Sequence, residues 1–341
     1  MLYRLMLWGS RIAAVLLALS FVVPFLAPER FPNLSMASLA VSPLIFLNII
    51  FLIYLLLKRW KKGIFTGLVL CIAYLHFGPF IEFSSEGDTK EYRESLSVLS
   101  YNVRLFNAYE KEVDTAEVAE VITTLLNTKQ PDVIAIQEFY EPNNIDFNSY
   151  PYRFIHFKKG QKLGHAIFSK YPIVNKGAFD FTKSYNNSIY VDIAKGQDTI
   201  RVYNLHLQSI GILPNVGYLQ DSDTERLRLR MARNFKKQQG QVEEILKHKA
   251  SSPYPVLMAG DFNNTAFSYI YRKFSKDMTD AFLVRGNGIG ATFKFDFYPM
   301  RIDYILASEN SFDVIHFETL KTSFSDHKPV FAVLGWPRQQ D

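Results

Sequence analysis

The sequence predicts an α/β domain built on packed sheets, preceded by an N-terminal transmembrane helical region. Three observations lead there. Long apolar stretches fill the first 83 residues; from about residue 95 short β-rich runs alternate with helical stretches; and several of those runs end on Asn, Glu, Asp or His. With 341 residues, 48% of them hydrophobic, the chain has material for a large core and is far too apolar for disorder. A lone cysteine, Cys71, excludes an intramolecular disulfide framework and any cysteine-ligated zinc or iron–sulfur cluster.

The N-terminal stretches run over about 12–28, 36–57 and 63–81, none of them containing an acid, with Asn48 and His76 as the main polar intrusions. Each is close to the roughly 20 residues that span a ~30 Å hydrocarbon core. A buried helical hairpin would be the soluble alternative, but three such stretches in succession are rare in soluble domains. The first could also be a secretory signal peptide with Arg4 and Arg11 as its charged flank; no small-x-small cleavage site follows it, which favours an uncleaved anchor. Lys58, Arg59, Lys61 and Lys62 crowd the loop between the second and third stretches, and the positive-inside rule puts that loop in the cytoplasm. The N-terminus is then inside, and everything after residue 84 lies outside the plasma (inner) membrane of a multi-pass protein. The charge agrees with this division. Residues 1–83 hold seven Lys/Arg against two acids, the whole of the +5 excess, and the remainder is balanced.

Residues 84–94 read as a polar linker and 95–337 as one folded α/β domain. Strands are expected over 96–103, 132–137, 165–169, 189–193, 199–207, 255–258, 302–307 and 330–334, and helices over about 115–127 and 225–249. There is no GxxxxGK[ST] and no GxGxxG, which argues against a nucleotide-driven engine.

The strand ends carry the chemistry. One run ends in Asn102, another in Gln137-Glu138, a third in His206, and a fourth delivers Asp261-Phe262-Asn263 after Gly260; Asp303 opens a strand, and Asp326-His327 precede the last. Taken singly, Asn102 or Asn263 suits a turn, Asp261 a helix N-cap, and Glu138 a solvated loop. Taken together they converge on one rim of a sheet-based domain, where α/β proteins put their sites. Carboxylates, amides and imidazoles without thiols suit a hard cation such as Mg²⁺ or Mn²⁺.

The set SYNVR (100–104), QE (137–138), GHAIFSKYPI (164–173), NLHL (204–207), GDFN (260–263), RIDYIL (301–306) and SDHKPV (325–330) resembles the endonuclease/exonuclease/phosphatase superfamily, which includes deoxyribonucleases, abasic-site endonucleases, neutral sphingomyelinases and inositol polyphosphate phosphatases. The motifs stand in family order over about 95–335; the usual NTHL is NLHL here, which keeps the histidine. The resemblance implies a four-layer sandwich, two packed β-sheets flanked by helices, and Mg²⁺-dependent phosphoester hydrolysis. It also implies Glu138 as principal metal ligand with Asn102 and Asp326, and Asp261 and Asn263 at the attacking water and the phosphate. His206 and His327 would be donors to phosphoryl oxygens, and Asp303 would hold His327. The general base is left between Asp261 and His327.

The helix at 225–249 places Arg226, Arg230, Arg233 and Lys237 on one face, either a solvated face or, through Arg226, a contact to substrate phosphate. The preceding 208–224 stretch, with Ile210, Ile212, Leu213, Val216, Tyr218 and Leu219, is long enough for an apolar lip over the site. Two substrate classes stay open: nucleic acid, favoured by the family's nucleases, and a lipid or sugar phosphoester, favoured by the anchor and by the neutral charge of 84–341. A non-catalytic binding module would require lost ligands, and every ligand position is filled.

Overall fold

The computed structural model describes residues 1–107, 115–141, 144–212, 216–221, 223–296 and 298–337. The apolar N-terminal stretches form helices α1 (Leu2–Ser20) and α2 (Val41–Phe77), joined through 3₁₀ turns at Val23–Phe25 and Met36–Ala40 that flank the short helix Pro32–Ser35. A straight helix of α2's 37 residues would be about 55 Å long. Arg59 leaves the helical region (φ −157°, ψ 82°) and divides it into two rods that fold back on each other, so that a Cβ on Gly63 would stand 3.2 Å from Leu52 Cδ1. α1 packs along both rods, and Ser10 and Thr66 hydroxyls meet at 2.7 Å.

The first helix differs from expectation. It begins at Leu2 rather than near residue 12, takes Arg4 and Arg11 into its body, and ends at Ser20 ahead of a turn that carries Pro24. The Arg11 guanidinium lies 5.7 Å from the Trp8 ring, one turn toward the end of the bundle where Arg59 caps Tyr3 at 5.6 Å. At the opposite end His76 Nε2 meets the Phe21 carbonyl at 2.8 Å, and Phe77 packs on Phe267 of the following domain at 5.1 Å. The basic Lys58–Lys62 loop is therefore at the end away from that domain.

The strands of the domain are, in chain order, β1 (Glu94–Asn102), β2 (Val133–Phe139), β3 (Tyr152–Phe157), β4 (Gly164–Ser169), β5 (Ile173–Phe179), β6 (Ser188–Lys195), β7 (Asp198–His206), β8 (Val256–Asp261), β9 (Met278–Asp280), β10 (Phe293–Phe295), β11 (Tyr298–Met300), β12 (Asp303–Ser308), β13 (Asp313–Thr319) and β14 (Val330–Trp336). They build two six-stranded sheets, in the orders β13-β14-β1-β2-β4-β3 and β9-β12-β8-β7-β6-β5, and a separate β10–β11 hairpin. Strand alternation sorts the side chains. Val98 and Ala135 of one sheet meet Val191 and Val202 of the other in the central core, while Ile134 and Ile136 face outward onto Val118 and Ile122 of α3 (Thr115–Lys129). On the far side Leu205 and Met258 pack on Val242 and Ile245 of α4 (Thr224–Ala250). The result is a four-layer sandwich, helix–sheet–sheet–helix.

The stretch expected as a linker is strapped to the domain. Within it the Gly87 amide donates to the Ile315 carbonyl at 2.8 Å and Arg285 donates to the Ser85 carbonyl at 2.9 Å, and just before it Glu82–Phe83, expected at the end of the membrane region, pairs instead with Asn287–Gly288 of the domain.

Candidate active site

Register brings the polar strand ends to one rim. In one sheet His206, the last residue of β7, lies opposite Asp261, the last of parallel β8, and Asp261 lies opposite Asp303, the first of antiparallel β12. In the other sheet Asn102 ends β1 opposite Gln137 of parallel β2, and antiparallel β14 starts beside Ser100. That start carries the 325–327 turn over Asn102, where Ser325 Oγ donates to the Asn102 carbonyl at 2.8 Å and accepts from the His327 amide at 3.1 Å. Gln137 donates to Asn204 Oδ1 at 2.7 Å across the two sheets, fixing β2 and β7 relative to each other beneath the site. Gly260 sets the height of Asp261: its φ is +140°, and a Cβ would fall 2.0 Å from the Leu205 carbonyl oxygen.

Asp261 is the centre of the arrangement. Its Oδ2 accepts from Asn102 Nδ2 at 3.1 Å and Asn263 Nδ2 at 3.2 Å, its Oδ1 accepts from the Asn263 amide at 2.7 Å, and both His206 Nε2 and His327 Nε2 stand 3.7 Å from Oδ2. Burial lifts the Asp261 carboxyl above its ordinary range, against the nearby His327 charge. His327 holds Asp303 through Nδ1 at 3.0 and 3.1 Å; burial alone would discharge its ring, but the Asp303 and Asp261 carboxylates outweigh it and keep the imidazole cationic. His206 goes the other way. Burial and the neighbouring His165 and His327 push it well below the ordinary value, so it is neutral, with Asn186 Nδ2 at 2.8 Å from Nε2.

Backbone strain gathers at the same place: Arg104, Glu138 and Asn263 adopt left-handed φ of 45°, 54° and 50°. Non-glycine residues are held there at a cost of order 1 kcal/mol or more, a cost that collects at functional sites.

Asp261, Asp303 and His327 offer ligand atoms within 4.8 Å of one another, but there the imidazolium already supplies the positive charge between two carboxylates. Glu138 is different. Its Oε1 faces the Asn102 amide at 3.4 Å and neutral His206 at 3.7 Å, and burial raises its carboxyl above the usual range. A half-buried carboxylate with the Asp326 carboxylate on the same cleft is an oxygen-donor pair that suits a hard divalent cation.

A family model for the endonuclease/exonuclease/phosphatase family matches residues 99–327, well over half of the chain. The chain belongs to this family. A second family model, a domain of unknown function, matches residues 3–80, and no curated protein is similar enough to match. Among solved structures of the family fold, truncated Caenorhabditis elegans TDP2 is similar at 17% identity and a TM-score of 0.54, over 72% of this chain and 99% of that one. A Bacteroides vulgatus endonuclease/exonuclease/phosphatase gives 16% and 0.53, over 72% of this chain and 100% of that one. Danio rerio TDP2, solved with a single-strand DNA product, gives 16% and 0.53, over 71% and 99%. At these identities they show the family fold.

The structure brings Glu138, His206, Asp261, Asn263, Asp326 and His327 to the lining of one cleft, with buried Asn102 and Asp303 hydrogen-bonded to Asp261 and His327. Arg226 is not among them. It sits in the first turn of α4, its side chain 88% exposed and paired with Asp223 at 3.4 Å, while Asn234, Gln238 and Gln241 turn inward. Gln238 donates to the Gln208 and Asn263 carbonyls at 2.7 and 3.1 Å, so α4 serves the family site by bracing its loops. The basic side chain on the cleft is instead Arg104, inside the SYNVR motif. Asn186, beside His206, had only its asparagine pair as a signal. Of the expected lip, Ile210 and Ile212 line the cleft; Leu213 and the side chains of Val216 and Leu219 lie outside the described residues.

Proposed function

We propose that the chain is a Mg²⁺- or Mn²⁺-dependent phosphoester hydrolase held in the inner membrane by its N-terminal helices, with the catalytic domain on the outer face. The observation that carries the chemistry is the meeting of Glu138, Asp261 and the Asp303–His327 pair within one cleft. Glu138, Asn102 and Asp326 would hold the metal, which supplies positive charge for the non-bridging and leaving oxygens of a phosphate that otherwise repels its nucleophile.

The protein's own groups do the rest. Asp261, aimed by the Asn102 and Asn263 amides, orients the attacking water and takes its proton. His327, locked through Nδ1 by Asp303, turns Nε2 to the cleft as a charged donor to a phosphoryl oxygen. His206, uncharged, accepts the Asn186 amide at Nε2 and does not compete with the cation for the phosphate.

Membrane attachment is supported by how the N-terminal helices expose themselves. Only 33% and 28% of their most apolar windows are buried, the reverse of a soluble core helix, and the basic loop lies at the end away from the domain. The test uses the full chain in detergent with bis-nitrophenyl phosphate, a water-soluble diester. Turnover in Mg²⁺ or Mn²⁺, lost in EDTA and restored by metal, is expected; metal-independent turnover overturns the metal role, and no turnover overturns the hydrolase. A C-terminal reporter active only outside the cytoplasm tests orientation, and cytoplasmic reporter activity contradicts it.

A further inference from the structure

The cleft above the catalytic residues is large, about 920 Å³, and its walls contrast with its floor. One wall is not part of the catalytic domain at all: Met36, Leu39 and Ala40 come from the segment that leads into α2, and Pro43 from the first turn of α2 itself, the first rod of the proposed anchor. Phe293 and Phe295 of the β10 strand form another side, and Ile210 and Ile212 the lip after β7.

The anchor segment is fixed in that position. Ser38 is fully buried; its carbonyl accepts from Thr265 Oγ1 at 3.0 Å, and its hydroxyl lies 3.4 Å from Asn264 Oδ1. Asn264 and Thr265 directly follow catalytic Asn263, so the turn that holds the reacting phosphate and the segment entering the membrane are bonded together. Below Pro43, α2 continues with Phe46 and Leu47 exposed at 55% and 40%, an unbroken apolar path from the cleft down the helix.

Charge points the same way. Among the described residues that line the cleft, Arg104 is the only Lys or Arg. A nucleic acid strand presents one phosphate after another and is met by rows of cations. This cleft provides for one phosphate, against Glu138, Asp261 and His327, and surrounds the remainder of the ligand with hydrocarbon.

Resting on the hydrolase reading above, we propose that the substrate is a membrane lipid phosphoester, its phosphate over Asp261 and its acyl part lying between the 36–43 segment and the β10–β11 hairpin. In the reaction a water oxygen bonds to phosphorus, the P–O bond to one alcohol breaks, and the water's proton leaves on that alcohol; no other reactant is consumed.

The test reconstitutes the full chain with Mg²⁺ in vesicles of phosphatidylethanolamine, phosphatidylglycerol and phosphatidic acid, with bis-nitrophenyl phosphate and a single-stranded oligonucleotide assayed in parallel. Release of phosphate or phosphorylated headgroup from the vesicles is expected. L39D and F295D are expected to lower vesicle turnover at least tenfold more than turnover of the soluble diester, which also reports that they fold. The lipid assignment is overturned by soluble-diester turnover without vesicle turnover, by faster cleavage of the oligonucleotide than of lipid, or by equal losses on both substrates in the two variants. Inactivity on every substrate overturns the hydrolase reading, and the lipid assignment with it.

Discussion

In the catalytic domain Val98, Ala135, Val191 and Val202 are wholly buried between two sheets, whereas in the N-terminal bundle Leu16, Leu19, Ile50, Ile53 and Leu68 stand 48% to 64% exposed. The buried positions of the bundle are shared between apolar Leu17, Val41, Leu55 and Val69 and polar Ser10, Asn48 and Thr66. The two regions draw on the same apolar residue types, but the bundle leaves on its outside many that the domain would bury. In water the hydrophobic effect drives such residues together, while between helices in lipid that drive vanishes and small or polar residues make the contacts. The cleft sits where the two arrangements meet, with charge on its floor from one region and hydrocarbon on a wall from the other.

Several substitutions break or sharpen that contrast. The largest effect belongs to the polar floor: D303N, which leaves His327 without its anionic partner, is expected to lower turnover by about 10³-fold while the melting temperature holds. A melting temperature that falls with activity would make Asp303 structural. Next comes backbone fit. G260A must place a Cβ 2.0 Å from the Leu205 carbonyl at φ +140° and is expected to cost roughly 3 kcal/mol or more by denaturant titration. G63A in the bundle meets only the flexible end of Leu52 at 3.2 Å and should stay within about 1 kcal/mol.

The solvent of each surface is tested by matched lysines. Ile50 and Val174 are 48% and 58% exposed, yet I50K should oppose membrane insertion by about 3 kcal/mol, and V174K, on water-facing β5, should change stability by less than about 0.5 kcal/mol. Equal tolerance of both in a membrane-fraction assay would contradict the anchor.

A last effect, acid sensitivity, builds up over several pH units. His165 is fully buried, packs on His206 at 5.4 Å between ring centroids, and is pushed by burial down to about 3, against a weaker opposing influence of Asn187. Because the unfolded chain protonates this ring near pH 6.5 and the folded one does not, folding stability should fall by up to about 1.4 kcal/mol per pH unit between roughly pH 6.5 and 3. Melting curves of H165F should lose that part of the slope; an unchanged slope would place the acid sensitivity elsewhere.

What the sequence made legible follows from burial. All eight interior strands of the two sheets coincide with expected runs, and the four strands of those sheets that it did not announce, β3, β5, β9 and β13, are the four sheet edges. An edge strand is covered on fewer sides and carries less apolar signal: Val174, Asn175 and Lys176 of β5 are all exposed, and β3 has no buried residue. The floor of the site was readable because each polar residue interrupts an apolar run at a strand end. Arg226 was misplaced because helical spacing gives a face but not its direction, and the inward direction here is taken by Gln238 and Gln241. The 36–43 segment was read only as the start of a membrane span, since its hydropathy carries no trace of the bonds from Thr265 to Ser38.

The most direct measurement is turnover of bis-nitrophenyl phosphate by the full chain and by its Glu138→Ala variant across a Mg²⁺ titration. The expected result is metal-dependent hydrolysis in the wild type and a loss of at least about 10²-fold in the variant, not recovered at high Mg²⁺, with the melting temperature unchanged. Near-normal turnover in the variant would contradict the placement of the reaction at this strand-end cleft.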